Sequence, residues 1–160
     1  MGKVAGLEPR GFRWVIAGKL AVSERIGGYG FQHRRVRREE EIAWLAERGI
    51  DAVLSLLPGN QNQAAYEGAG FRFYSHPIDE ELEPEDADSV FAALDQALVT
   101  DQGSLLVHRD LIDDQVVGLL GGYLVHTGLV KDPIIATSVI QEIVGRAIGP
   151  EGRKLIPSES

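Results

Sequence analysis

SLLVHRDLIDDQVVGLLGGYLV, residues 104–125, decides the fold class. Its first five residues, Ser104-Leu105-Leu106-Val107-His108, form a short apolar run suited to a buried strand. From Val116 to Val125 the chain is again apolar, with the small residues Gly121 and Gly122, as in a closely packed helix. Between them lies the polar stretch Arg109-Asp110-Leu111-Ile112-Asp113-Asp114-Gln115. A polar loop at the carboxyl end of a strand and the amino end of a helix is where open α/β sheets place ligands, because the helix points free N–H groups and its positive dipole end there.

Working outward, strands are expected at 13–17, 19–22, 52–57, 71–76 and 104–108. Helices are expected at 38–48, 61–68, 85–100, 114–127 and 132–147. This alternation predicts an α/β fold with a mainly parallel central sheet flanked by helices. Gly49 ends one helix, while Pro84 and Pro133 open two others as first-turn prolines. Ile134, Ile135, Val139, Ile140, Ile143 and Val144 form an apolar stripe on the last long helix. No linker divides the chain, so one domain is expected over 12–150, between an N-terminal tail at 1–11 and a C-terminal tail at 151–160.

Composition narrows the function classes. With 44% hydrophobic and 25% charged residues, the chain has globular values, which argues against disorder. A net charge of -8 argues against general nucleic-acid binding. The sequence contains no apolar run of transmembrane length, and 1–6 lacks the apolar core of a signal peptide. It has no cysteine, which excludes disulfides and thiol metal sites and fits the cytoplasm. Oligomeric state is not legible.

Four stretches resemble the compact dual-specificity group of cysteine-dependent phosphatases. Phe12 to Ser23 carries an aromatic strand followed by a Gly-x-Leu-Ala-x-Ser turn, and Glu40 to Leu57 is similar to the family's next helix and strand. Phe71 to Asp79 resembles the strand leading to the general-acid loop, and residues 104–125 resemble the active-site strand, loop and helix. The resemblance spans roughly residues 12–147 and implies the phosphotyrosine-protein-phosphatase-like fold.

The family's loop reads His-Cys-x-x-Gly-x-x-Arg, then Ser or Thr. In this chain it reads His108-Arg109-Asp110-Leu111-Ile112-Asp113-Asp114-Gln115-Val116. By resemblance Arg109 stands for the nucleophilic Cys, Ile112 for the loop Gly, Gln115 for the phosphate-clamping Arg, and Asp79 for the general acid. Phosphocysteine chemistry needs a thiolate and a bidentate guanidinium. Arg109 stays protonated and cannot attack, and Gln115 is neutral. Without a nucleophile, Asp79 has no step to assist.

Asp113 and Asp114 add negative charge where a phosphate would sit, and either can accept from free N–H groups at the helix start. The expectation is a self-occupied loop, with Arg109 paired to an Asp or filling the emptied pocket. The reading is therefore a pseudophosphatase acting in binding or regulation. Its candidate binding residues are His108, Arg109, Asp110, Asp113, Asp114, Gln115, Asp79 and Glu80. Its partner would be a protein or a small polar ligand, without cofactor or metal. An alternative is hydrolase chemistry assisted by Mg²⁺ or Mn²⁺ on His108, Asp110, Asp113 and Asp114 with Asp79, Glu80 or Glu81, although the spacing is no recognised metal signature and Arg109 would repel a cation. A plain acidic surface loop is the simpler reading of 79–81.

Residues 24–38, ERIGGYGFQHRRVRR, are the least family-like part. Gly27, Gly28 and Gly30 around Tyr29 and Phe31 suggest a mobile loop, and Arg34, Arg35, Arg37 and Arg38 suggest a solvated charged run or a basic patch for an acidic partner. Because a basic block opposes the helix dipole, the helix is expected to start near Glu39. His108 reads as a hydrogen-bonded core histidine, His76 as a strand-end residue, and His33 and His126 as peripheral.

Overall fold

The computed structural model describes residues 6–28, 30–59, 62–78, 81–99 and 103–157. Packing divides the chain into two compact units: residues 1–77 with 97–111, and residues 78–96 with 112–160. Among the described residues no helix is long and apolar enough to cross a membrane.

The first unit holds β1 (Arg13–Ile16), β2 (Leu20–Ser23), β3 (Ile50–Ser55), β4 (Arg72–Ser75) and β5 (Ser104–His108) in one sheet ordered β1-β2-β5-β3-β4. Only the β1–β2 pair is antiparallel; β2–β5, β5–β3 and β3–β4 are parallel. The apolar run at 104–108 becomes the middle strand because all five of its residues are buried. Leu106 lies beside Ala21 on one side and Val53 on the other, and His108 beside Ser23 and Ser55.

Two helices of this unit, α1 (Arg35–Glu47) and α2 (Gln63–Gly68), bring Ile42, Leu45 and Tyr66 to the sheet. There they join Phe12, Ile26, Val53, Phe71 and Leu106 in one apolar cluster. Gly6 lies against Trp44, and the Leu7 N–H donates to the Glu40 carbonyl at 3.1 Å, so this part of the expected N-terminal tail is packed.

Helix α1 starts at Arg35, four residues before the expected Glu39. The dipole argument loses to two ion pairs at helical spacing, Arg35 with Glu39 at 3.2 Å and Arg37 with Glu41 at 2.9 Å. Glu41 is 1% exposed and also accepts the Gly27 N–H at 2.7 Å. A buried carboxylate needs such partners, and helical geometry at 37–41 supplies one of them.

In the second unit the helices are α3 (Pro84–Val99, to Gln96 within this unit), α4 (Asp114–Thr127), α5 (Pro133–Val144) and the short α6 (Pro150–Arg153). Small residues let backbones meet: a Cβ at Gly118 would strike the carbonyl oxygen of Gly152, and one at Gly122 would lie 2.6 Å from the Leu155 carbonyl oxygen. The sequence places a tail from 151, but α6, Leu155 and Ile156 pack here, both apolar side chains being buried. The α5 stripe is only partly inward: Ala136 and Ile140 are buried, whereas Ile134 is 78% exposed and Ile135 is 55% exposed. Asp132 caps this helix by accepting the Ile134 N–H at 2.8 Å, ahead of Pro133.

Candidate functional site

The loop after β5 begins in the first unit with His108, Arg109 and Asp110. His108 is fully buried, and its Nε2 lies 3.3 Å from the Tyr66 hydroxyl. Burial, reinforced by the nearby charge of Arg25, pulls its pKa down to about 4, against a smaller opposing effect of the Arg109 backbone. The ring is therefore neutral near pH 7, and the reading as a hydrogen-bonded core histidine agrees with this setting. Burial raises the Tyr66 phenol as well, so that pair carries no charge.

Arg109 is half-buried. Asp110 pairs with Arg25: its carboxylate lies 3.6 Å from the guanidinium, and its carbonyl accepts the Arg25 N–H at 3.3 Å. The 24–28 segment is thus fastened to residue 110 rather than loose. Gly27 and Gly28 are buried, with φ of 86° and 90°. Phe31 is wholly exposed, and Tyr29 lies outside the described residues. Arg34 and Arg35 are solvated as expected of a charge run, but Arg37, Arg38 and His33 are half-buried. His33 is accordingly not peripheral.

The loop continues in the second unit with Asp113, Asp114 and Gln115. Asp113 caps α4 by accepting the Val116 N–H at 3.0 Å, as expected. Asp114 does something else. Its two carboxylate oxygens accept the Gly149 N–H at 2.6 Å and the Gly152 N–H at 2.7 Å, with the Arg146 guanidinium 3.7 Å away. The expectation that it serves the amides of its own loop is corrected: the free N–H groups at the start of α6 attract the carboxylate. Gln115 is 4% exposed, and its amide oxygen accepts the Leu82 N–H at 2.6 Å.

Asp79 and Glu80 lie outside the described residues. Glu81 is exposed and meets Lys154 at 3.2 Å, as Glu83 does at 2.9 Å. Among the described residues no three His, Cys, Asp or Glu side chains are arranged to hold a metal ion. His126 is exposed and pairs with Asp95 at 2.7 Å. Sequence reading overlooked Asn62, which gathers the 24–38 segment: its amide donates to the Ile26 carbonyl at 2.9 Å and accepts from Arg38 at 3.2 Å. Nothing in the Asn60-Gln61-Asn62 run marks that long-range role.

No family model and no curated protein matches the chain. Solved structures do. The active form of Tk-PTP is 16% identical, covers 91% of this chain and 92% of its own, and superposes with a TM-score of 0.66. Kinase associated phosphatase, solved with its catalytic-site cysteine substituted by serine, is 15% identical over 91% and 90% of the two chains, with a TM-score of 0.70. A putative protein tyrosine phosphatase from Leishmania major is 19% identical over 88% and 87%, with a TM-score of 0.68. The chain therefore has the α/β fold of compact dual-specificity and protein tyrosine phosphatases, with a mainly parallel sheet flanked by helices.

Proposed function

We propose that this protein is a phosphatase-fold protein without phosphocysteine catalysis, a pseudophosphatase that acts by binding a protein or small polar ligand. The observation that carries this reading is the use made of three consecutive side chains where the loop enters α4. Asp113 caps its own helix, Asp114 holds Gly149 and Gly152, and Gln115 holds Leu82. Groups committed to folding in this way are poor candidates for cradling a transferring phosphoryl group, which requires donors aimed at its oxygens. The composition supports the same conclusion, since no thiol exists anywhere in the chain to replace Arg109 as nucleophile.

In this proposal Arg109 and Asp110, the loop residues of the first unit, carry the recognition. The test is steady-state turnover of an aryl phosphate by the purified protein, with EDTA and separately with Mg²⁺, Mn²⁺ and Zn²⁺. Release at the rate of the protein-free blank in every condition is expected. Saturable, metal-dependent turnover that is lost in Asp110→Asn would replace this reading with repurposed, metal-assisted hydrolysis.

A further inference from the structure

Three nitrogen atoms of half-buried basic side chains in the first unit are shielded from solvent yet make no hydrogen bond: Arg25 Nε, His33 Nε2 and Arg38 Nε. The two arginine atoms are obligate donors, and the histidine atom becomes one when it carries the ring proton. Buried polar atoms are nearly always paired; Asp110 Oδ1, shielded and unpaired as well, stands 3.6 Å from the Arg25 guanidinium, whereas His33 Nε2 and Arg38 Nε have no bonded acceptor.

His33 and Arg38 meet at Gly27, and Arg25 is near enough for its charge to act on His33. A Cβ at Gly27 would lie 2.7 Å from His33 Nε2 and 3.0 Å from Arg38 Cβ, and its φ of 86° also favours glycine. Arg25 is two residues away in the chain. Burial above all, and then the charges of Arg25, Arg38 and Arg37, hold His33 below its ordinary pKa, against the opposing effect of the neighbouring Asn62 side chain. Asn62 ties the cluster together through Ile26 and Arg38 from a left-handed backbone, φ 66°, alone among the described non-glycine residues. Such a conformation persists only where its surroundings enforce it.

The charges here do not cancel. Arg37 is matched by Glu41 at 2.9 Å, and Arg25 reaches Asp110 only at 3.6 Å. Arg38 bonds to the neutral amide of Asn62. His108 and Tyr66, which also sense Arg25, are neutral. In a chain of net charge -8 this is a local cationic surplus.

We propose that Arg25, His33 and Arg38 form an oxyanion site on the segment joining β2 to α1, which takes a phosphate or phosphate-monoester group. Guanidinium donors with a histidine beside them are suited to such oxygens. This site is independent of whether the protein turns over phosphoesters, so either claim can fail alone.

The experiment follows the His33 ring signals by NMR during titration with inorganic phosphate. A saturable shift with a Kd of about 1 mM or tighter is expected, with the His33 midpoint moving upward as the anion offsets Arg25, Arg37 and Arg38 and adds to Glu41 and Asp110. Arg38→Gln should weaken binding about tenfold or more, the worth of one charge-assisted hydrogen bond. Arg38→Lys keeps the charge and guards against a folding defect; it should weaken binding less than Arg38→Gln. Lys131→Gln, on an exposed residue of the second unit, should leave it unchanged. Tighter binding of glycerol phosphate than of inorganic phosphate would mark an esterified ligand, and the reverse would mark the free ion; both uphold the site. Absence of a saturable shift, or affinity untouched by both Arg38 substitutions, overturns it.

Discussion

Replacing Asp114 with alanine removes a carboxylate that accepts two backbone N–H groups at 2.6 Å and 2.7 Å, from Gly149 and Gly152. Each is a charge-assisted hydrogen bond, a class worth about 1.5–3 kcal/mol. Because both end on one carboxylate they are not additive, and the Arg146 contact at 3.7 Å is half-exposed and contributes little. Unfolding in urea should therefore show Asp114→Ala destabilised by about 3 kcal/mol, the upper end of the range for one such bond. Asp114→Asn can offer an oxygen to only one of the two N–H groups and should fall between the variant and the original protein. Hydrogen exchange at the Gly149 and Gly152 amides should accelerate selectively in both variants. A loss below about 0.5 kcal/mol, the ordinary surface range, with exchange at those amides unchanged, would refute the assignment of Asp114 to the 149–152 segment.

Asp113→Ala should cost about 1 kcal/mol in urea unfolding through loss of the α4 cap, while Asp113→Ser should recover most of it. His108 is bound neutral, with its pKa lowered from 6.5 to about 4; stability from this group is complete above about pH 6.5, where the unfolded ring is also neutral, and is lost as pH falls through that window to about 4. The full loss is about 3 kcal/mol, and urea midpoints between pH 7 and pH 4 should fall less steeply in His108→Gln. Gly118→Ala drives a methyl group into the Gly152 carbonyl and should destabilise by about 2 kcal/mol, measured by calorimetry.

Much of the fold was legible because periodicity and punctuation agreed. The apolar run at 104–108, Gly49 after α1, and the prolines at 84 and 133 each mark a boundary the structure keeps. Failures came where a distant partner outweighed a local rule. The Arg34–Arg38 block argued for a late helix start, but buried Glu41 requires Arg37 one turn before it and the Gly27 N–H beside it. Ile134 and Ile135 satisfy a helical stripe on paper yet face solvent, because periodicity reports a face and not what covers it.

The site was half-legible for a related reason. Asp113 follows from capping chemistry, which is local. The partner of Asp114 lies 35 residues on, at Gly149, where Gly149-Pro150 marks a helix start that sequence reading took for the edge of a tail. Arg25 and Asn62 belong to the same category. Neither carries a motif, and only the fold brings them to His33 and Arg38.

The central claim, that the loop at 108–116 performs no phosphoryl transfer, is tested most directly by intact mass after incubation with excess aryl phosphate and quenching at alkaline pH, which preserves phosphohistidine as well as phosphoesters. The account predicts a single unmodified species, at every time point and with or without added divalent metal. A species heavier by one phosphoryl group, mapped to any residue between His108 and Val116, would contradict it.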